Sequence, residues 1–304
     1  MKRILLFVNY NKENILEDRT LYSLKYLRNL YDKIVVISNS ELSRADKEKI
    51  KKFSDRIICH ENKGYDFAAW RDGIKKIGWN ELAKYDELTL MNDTCYFPMF
   101  PIEKYINQFG DSEVIDFFGS YIHVATPCGM PGTGTMDYPG DAVPEHVQSY
   151  FMTFKKTVLV SSVFRDFWNN VKEYSDVNIV IQKYETQLTG RLKDAGFGYD
   201  AMHRSHDYLY VHPEILLKKQ FPFLKIKAVH YYNIKRLKKI VEKSCSEYPT
   251  QFIVPIAEDK HLKLIIKSVL PESILVIIRW FRKNIKYIWV IAITLCIVYL
   301  VVRG

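Results

Sequence analysis

Four short segments carry the side chains that could do chemistry. Asn62-Lys-Gly-Tyr-Asp-Phe-Ala-Ala-Trp70-Arg71-Asp-Gly73 follows one apolar run and opens a helical one. Gly64 lets the backbone approach a ligand closely, and the positive end of a helix attracts an anion such as a diphosphate. Asn62, Gly64, Asp66 and Arg71 are its candidate ligands, although Asp66 equally suits a plain N-cap. Asn92-Asp93-Thr94 closes another apolar run. Asp93, with Asn92 beside it, offers the oxygen ligands that a hard divalent cation (Mn or Mg) takes; read alone, the pair is a turn. Tyr184-Glu-Thr-Gln-Leu-Thr-Gly-Arg191 puts Glu185 on a helix, as a general base or as one charge of a solvated face. His146-Val-Gln-Ser-Tyr150 follows a Gly/Pro-rich stretch, and His146, Gln148 and Tyr150 could hold hydroxyl groups of a substrate, with His146 a second candidate base.

These segments need a frame. Ile4–Val8, Lys33–Ser38, Arg56–Cys59 and Leu88–Met91 are short apolar runs of strand length. Helical periods lie between them over 16–30, 43–53 and 66–77. Strands alternating with helices predict βαβ units and a parallel sheet. Ligands gather at the carboxyl ends of such strands, which here read Asn9-Tyr10, Ser38-Asn39, Glu61–Asp66 and Asn92-Asp93. Asn9 and Tyr10 join the candidate list on that ground. Val114–Ile122 and Val147–Phe154 read as further strands, 162–174 and 178–195 as helices, and Ala125–Pro144 as a long loop of the kind that usually has a function.

Charge divides the 304-residue chain: residues 1–214 carry 27 Lys and Arg against 30 Asp and Glu, whereas 215–286 carry 16 against 5. That basic stretch precedes Tyr287–Val302, an uncharged apolar run, so it fits an anionic membrane surface better than nucleic acid. At about 1.5 Å per residue the run spans roughly 24 Å, slightly short of a bilayer core. With Arg279, Arg282, Lys283 and Lys286 before it, the positive-inside bias predicts a single C-terminal transmembrane helix with the main body in the cytoplasm. Five scattered cysteines form no C-x-x-C pair and fit a reducing compartment.

Two of the segments resemble motifs of GT-A glycosyltransferases. Asn92-Asp93-Thr94 stands where those enzymes carry Asp-x-Asp, with one carboxylate missing, and Glu185, Leu188 and Arg191 keep the spacing of their late Asp, Leu and Arg, the Asp being the base that deprotonates the acceptor. Read in order, Val8-Asn-Tyr-Asn11, Val36-Ile-Ser-Asn-Ser40, Asn62-Lys-Gly-Tyr-Asp-Phe67, Leu90-Met-Asn-Asp-Thr94, His146-Val-Gln-Ser-Tyr-Phe151 and Phe221-Pro-Phe-Leu-Lys225 resemble the rhamnan synthesis protein F family of bacterial polysaccharide glycosyltransferases. The likeness runs over about residues 1–225. It implies a GT-A-like, Rossmann-type, mostly parallel sheet flanked by helices, a nucleotide-sugar donor (dTDP-rhamnose in the better-known members) and a lipid-linked glycan acceptor. His230 would then be the late His that completes the metal site with Asp93.

Together these readings predict a transferase domain over 1–230, a basic membrane-proximal helical region over 231–286 and an anchor over 287–302, at the cytoplasmic face of a bacterial inner or plasma membrane. Glu185 would take the acceptor proton as the sugar C1 inverts. The rival reading is a non-catalytic, membrane-tethered subunit that binds a nucleotide sugar or glycan, favoured by the incomplete Asp-x-Asp. A hydrolase would need a paired-carboxylate or Ser/His arrangement at readable spacing, and none is present.

Overall fold

The computed structural model describes residues 1–128, 138–205, 212–230, 234–244 and 247–254. In chain order its strands are β1 (Arg3–Asn9), β2 (Lys33–Ser38), β3 (Arg56–Cys59), β4 (Glu87–Asn92), β5 (Cys95–Tyr96), β6 (Phe117–His123), β7 (Thr126–Pro127), β8 (Ala142–Val143), β9 (His146–Val147), β10 (Phe151–Lys155), β11 (Tyr199–Ser205) and β12 (Leu224–Lys225). The helices are α1 (Asp18–Leu27), α2 (Arg44–Lys51), α3 (Tyr65–Ile77), α4 (Trp79–Leu82), α5 (Glu103–Gly110), α6 (Lys156–Leu159), α7 (Ser162–Asn169), α8 (Val177–Val180), α9 (Thr186–Asp194), α10 (Pro213–Lys218) and α11 (Ile234–Lys243).

The main sheet runs β11-β6-β10-β4-β1-β2-β3, with β9 paired to β6. β1 is parallel to β2 and β4, β2 to β3, and β6 to β11, while β10 runs against both its neighbours. This is a mixed α/β, Rossmann-like sheet with helices on both faces. Ile4, Leu6 and Val8 of β1 pack with Val35, Ile37, Leu88 and Leu90 against α3, α7 and α9. Leu5 and Phe7 point the other way, with Ile34, Val36 and Met91, onto α1, α2 and α5. Burial on both faces is why these strands read as unbroken apolar runs. Each fully buried Leu, Ile or Phe contributes roughly 1.5–3 kcal/mol of transfer free energy.

Three sequence expectations change. The strand expected over 147–154 is two strands, because Gln148–Tyr150 leave the ladder: the Gln148 N–H donates to the Tyr121 carbonyl, and the Tyr150 carbonyl accepts from the Asn92 N–H. The helix expected over 178–195 is α8, a π-turn over Ile181–Glu185, and α9. Within the basic region expected over 231–286, Leu237 and Val241 of α11 are buried against Tyr96, Met99, Leu217 and Leu224. α11 thus belongs to the compact body of residues 1–254, beyond the boundary expected at 230. The rest of the basic region and the expected anchor over 287–302 lie outside the described residues. Among the described residues no helix is long and apolar enough to cross a membrane.

Candidate active site

The carboxyl ends of β1 and β4 meet the N-terminus of α3 at one crevice. The Asn92 Nδ2 donates to Asp66 Oδ2 (2.7 Å), and Asn92 Oδ1 accepts from both the Thr94 hydroxyl (2.7 Å) and its N–H (3.2 Å). Asp93 is nearly buried and its Oδ2 takes the Tyr10 N–H at 3.3 Å. Its carbonyl accepts from the guanidinium of Arg19, which also pairs with Glu17. Burial pushes the Asp93 carboxyl up to about 7, with the Asp66 and Glu17 charges adding to the rise and Arg19 opposing it. Burial likewise pushes Asp66 up to about 6, against the Asn92 hydrogen bond and the Lys225 charge and with the help of Glu185. Burial and repulsion from neighbouring carboxylates hold both carboxyls above their usual range, which makes the pair a candidate for handling a cation or proton.

Glu185 comes to the same crevice from the other side. Its Oε1 accepts from the Ser149 N–H (2.9 Å) and hydroxyl (2.8 Å), a contact made possible by the break between β9 and β10. The Glu185 charge is felt by Asp66 and by Tyr138, which is hydrogen-bonded to Thr186 at the end of the Gly/Pro-rich stretch. Sequence reasoning therefore named residues from three separate segments that the fold brings together: Asp66, Asn92 with Asp93, and Glu185.

Other named residues sit differently. The Arg71 guanidinium is taken up by Asp72, by the Val171 carbonyl (2.9 Å) and by Glu173 (2.9 Å). Gly64 has φ +74°, and a Cβ there would lie 2.7 Å from Ala68 Cβ and 2.9 Å from Glu173 Cα, so the close approach it permits is to the chain at 173. Asn62 and Tyr10 are exposed, whereas Asn9 is buried with its Oδ1 lacking a protein partner. The buried His146 ring stacks on His123 at 5.3 Å and its Nδ1–H donates to the Pro144 carbonyl (2.8 Å). Gln148 is half-buried. Tyr150 is buried beneath Lys225, whose ammonium lies 4.0 Å from the ring centroid. His230 ends a 3₁₀ turn (Ile226–His230), and its side chain lies outside the described residues. Among the described residues no three His, Cys, Asp or Glu side chains gather as a metal cluster. The candidate oxygen donors for a hard cation here are the carboxylates of Asp66 and Asp93, the second of which feels the charge of the first.

Two site residues were assigned no role from sequence. Lys225, delivered by β12 pairing with β5, donates to Thr94 Oγ1 at 3.1 Å. Arg19 reaches Asp93 from α1. The signal for Lys225 was a charge set among apolar neighbours, Phe221-Pro-Phe-Leu-Lys225, whereas Arg19, in Glu17-Asp18-Arg19-Thr20, reads as one charge of a solvated helix start.

Comparison with known proteins follows from this geometry. The rhamnan synthesis protein F family model matches residues 34–301. The chain belongs to the rhamnan synthesis protein F family. The match extends past residue 225, so the family likeness takes in the basic region and the apolar run as well. The uncharacterized protein y4gN of Sinorhizobium fredii (strain NBRC 101917 / NGR234) is 27% identical to this chain over 191 residues, 63% of this chain and 46% of the relative. The chain therefore spans about half the length of that relative. Among solved structures, a 4-diphosphocytidyl-2C-methyl-D-erythritol synthase is similar at 14% identity and a TM-score of 0.41, over 68% of this chain and 90% of its own. A cytidylyltransferase of Leptospira borgpetersenii aligns at 11% identity and a TM-score of 0.39, over 85% and 100%. Core-mannan synthase A of Aspergillus fumigatus, in its Mn/GDP form, aligns at 7% identity and a TM-score of 0.36, over 66% and 72%.

Proposed function

We propose that this rhamnan synthesis protein F family member is an inverting, GT-A-like glycosyltransferase in cell-surface polysaccharide synthesis. It moves a sugar, rhamnose from dTDP-rhamnose by family analogy, to a lipid-linked glycan at the cytoplasmic face of the membrane. The observation that carries the reading is the convergence of Glu185 on the crevice of Asp66, Asn92 and Asp93. In this reading Asn9 and Tyr10 face the nucleotide, and the Asn92–Thr94 turn faces the diphosphate. Glu185, steadied by Ser149, takes the acceptor hydroxyl proton as that oxygen attacks C1. His146 and Gln148 lie on the acceptor side. A divalent cation entering with the donor would be held by Asp93 and Asp66, and would neutralise phosphate charge.

Transfer assayed with a panel of nucleotide sugars, with and without Mn²⁺ or Mg²⁺, tests the reading. Glu185→Gln should bind nucleoside diphosphate as the wild type does and turn over roughly 10²–10⁴-fold more slowly, the usual contribution of a general base. Turnover within about threefold of wild type would move the base elsewhere. Binding without transfer from any donor would leave a nucleotide-sugar- or glycan-binding subunit.

A further inference from the structure

A lysine buried at a strand-end crevice needs a reason, because an ammonium out of water is costly unless something in the site uses its charge. Lys225 is 9% exposed, and its ammonium lies over the Tyr150 ring. From there runs a chain of hydrogen bonds of one sense: the Lys225 ammonium donates to the Thr94 hydroxyl, Thr94 to Asn92 Oδ1, and Asn92 Nδ2 to Asp66 Oδ2. Each link orients the next, so the ammonium is aimed rather than merely tolerated. On the other flank of the same turn the Arg19 guanidinium, also buried, holds the Asp93 carbonyl. The Asn92–Thr94 turn is thus bracketed by two desolvated cations at the carboxyl end of β4, the edge where open α/β sheets take phosphate ligands.

We propose that Lys225 is a catalytic residue that binds the donor's diphosphate and neutralises the charge developing on it as it leaves. The assignment rests on the glycosyl-transfer reading above. In that step the bond between C1 and the diphosphate oxygen breaks, its electron pair staying on that oxygen beside the Lys225 ammonium. The acceptor oxygen bonds to C1, and its proton passes to Glu185. A fixed ammonium at the leaving oxygen does what a preorganised electrostatic donor does elsewhere: it is worth more in the transition state than in the bound donor.

The test uses the full chain and titrates inorganic pyrophosphate and dTDP into wild type, Lys225→Met, Lys225→Arg and Thr94→Val by calorimetry, at low and high salt, with EDTA or with Mn²⁺. Met keeps an unbranched side chain of similar length and removes the charge. The Met variant should bind pyrophosphate and dTDP at least tenfold more weakly in EDTA, the scale of one charge-assisted hydrogen bond. It should also lose part of the salt dependence. Arg should restore most of the affinity, Thr94→Val should weaken binding several-fold, and in transfer assays the Met variant should lose more in kcat than in KM. Pyrophosphate affinity unchanged in Lys225→Met, with only a lower melting temperature, would make the lysine structural and overturn the proposal. If the Met variant does not fold, unchanged affinity in Thr94→Val overturns it equally. Loss of pyrophosphate binding in a chain whose wild type transfers no sugar would keep the anion site and sink the transferase reading; a wild type that binds neither probe defeats both.

Discussion

Asp93 is held in a place where ionising it costs the fold. Its carboxyl sits at about 7 in the native state against an ordinary 3.8, so between those values the folded chain binds more protons than the unfolded one. The sign follows directly: stability without ligand falls as pH rises from about 4 to 7, and the penalty is complete above that window. Asp93→Asn should therefore raise the unfolding free energy at pH 8 by on the order of 2 kcal/mol and leave it nearly unchanged at pH 4. Urea unfolding at the two pH values decides this; equal effects at both would mean the carboxyl is not the group that titrates. Asp66, at about 6, adds a second and smaller contribution of the same sign. Ligand binding that needs both carboxylates charged must grow stronger across the same window.

Among the elements, α3 joins a candidate site carboxyl to a scaffolding arginine. Asp66 faces the crevice, while five residues on Arg71 is clasped by Asp72, Val171 and Glu173. Arg71→Met should lower stability by roughly 1–3 kcal/mol, the cost of breaking a part-buried charged network, and leave pyrophosphate affinity within about twofold. A tenfold loss of affinity with normal stability would return Arg71 to the ligand. The inner strand β2 was legible from sequence at Lys33–Ser38, because a strand buried on both faces announces itself as an apolar run with polar ends, and the edge strand β3 falls on the expected Arg56–Cys59 through its Ile57-Ile58 pair. β11 was not legible. Its Tyr-Asp-Ala-Met-His-Arg-Ser is an edge strand in which half-buried apolar and polar residues mix, so it shows no apolar run. The two residues of β12 are too short for any period, and so Lys225 carried no structural address until Cys95 was seen to pair with it. Glu185 could be named by its spacing, but its hold on Ser149 depends on a strand break and a π-turn that apolar patterning does not encode.

For the molecule as a whole, the body that must stay together is residues 1–254. The crevice draws on α1, α3, β4, β9–β10, the π-turn and β12, and α11 covers the third cluster around Tyr96 and Leu224. A chain ending at Val254 should therefore fold cooperatively and bind pyrophosphate with the full-length affinity. One ending at residue 230 should be markedly less stable, since Leu217, Leu224 and Tyr96 would lose the cover of Leu237 and Val241. Circular dichroism melts of the two chains check it, and equal melting temperatures would show that α11 is dispensable. The outer face of α11 carries exposed Lys239 and Lys243, turned away from the cluster. Any attraction to an anionic bilayer along this face is accordingly a matter of charge and salt, without insertion of the helix.

The turn that leads into α3 is fastened from behind, by Gly64 against Glu173, by the Tyr65 hydroxyl donating to the Ser175 carbonyl at 2.8 Å, and by Arg71 on Val171. If this turn meets the ligand proposed above, a loop already tied in one shape has little entropy left to surrender on binding. Tyr65→Phe, which cuts one tie and touches none of the crevice residues' contacts, should then show its effect in the heat of binding data as a less favourable entropy for pyrophosphate at nearly constant enthalpy, with a two- to fivefold weaker affinity, on the order of 0.5–1 kcal/mol. An unchanged entropy would mean the turn is ordered by the sheet alone.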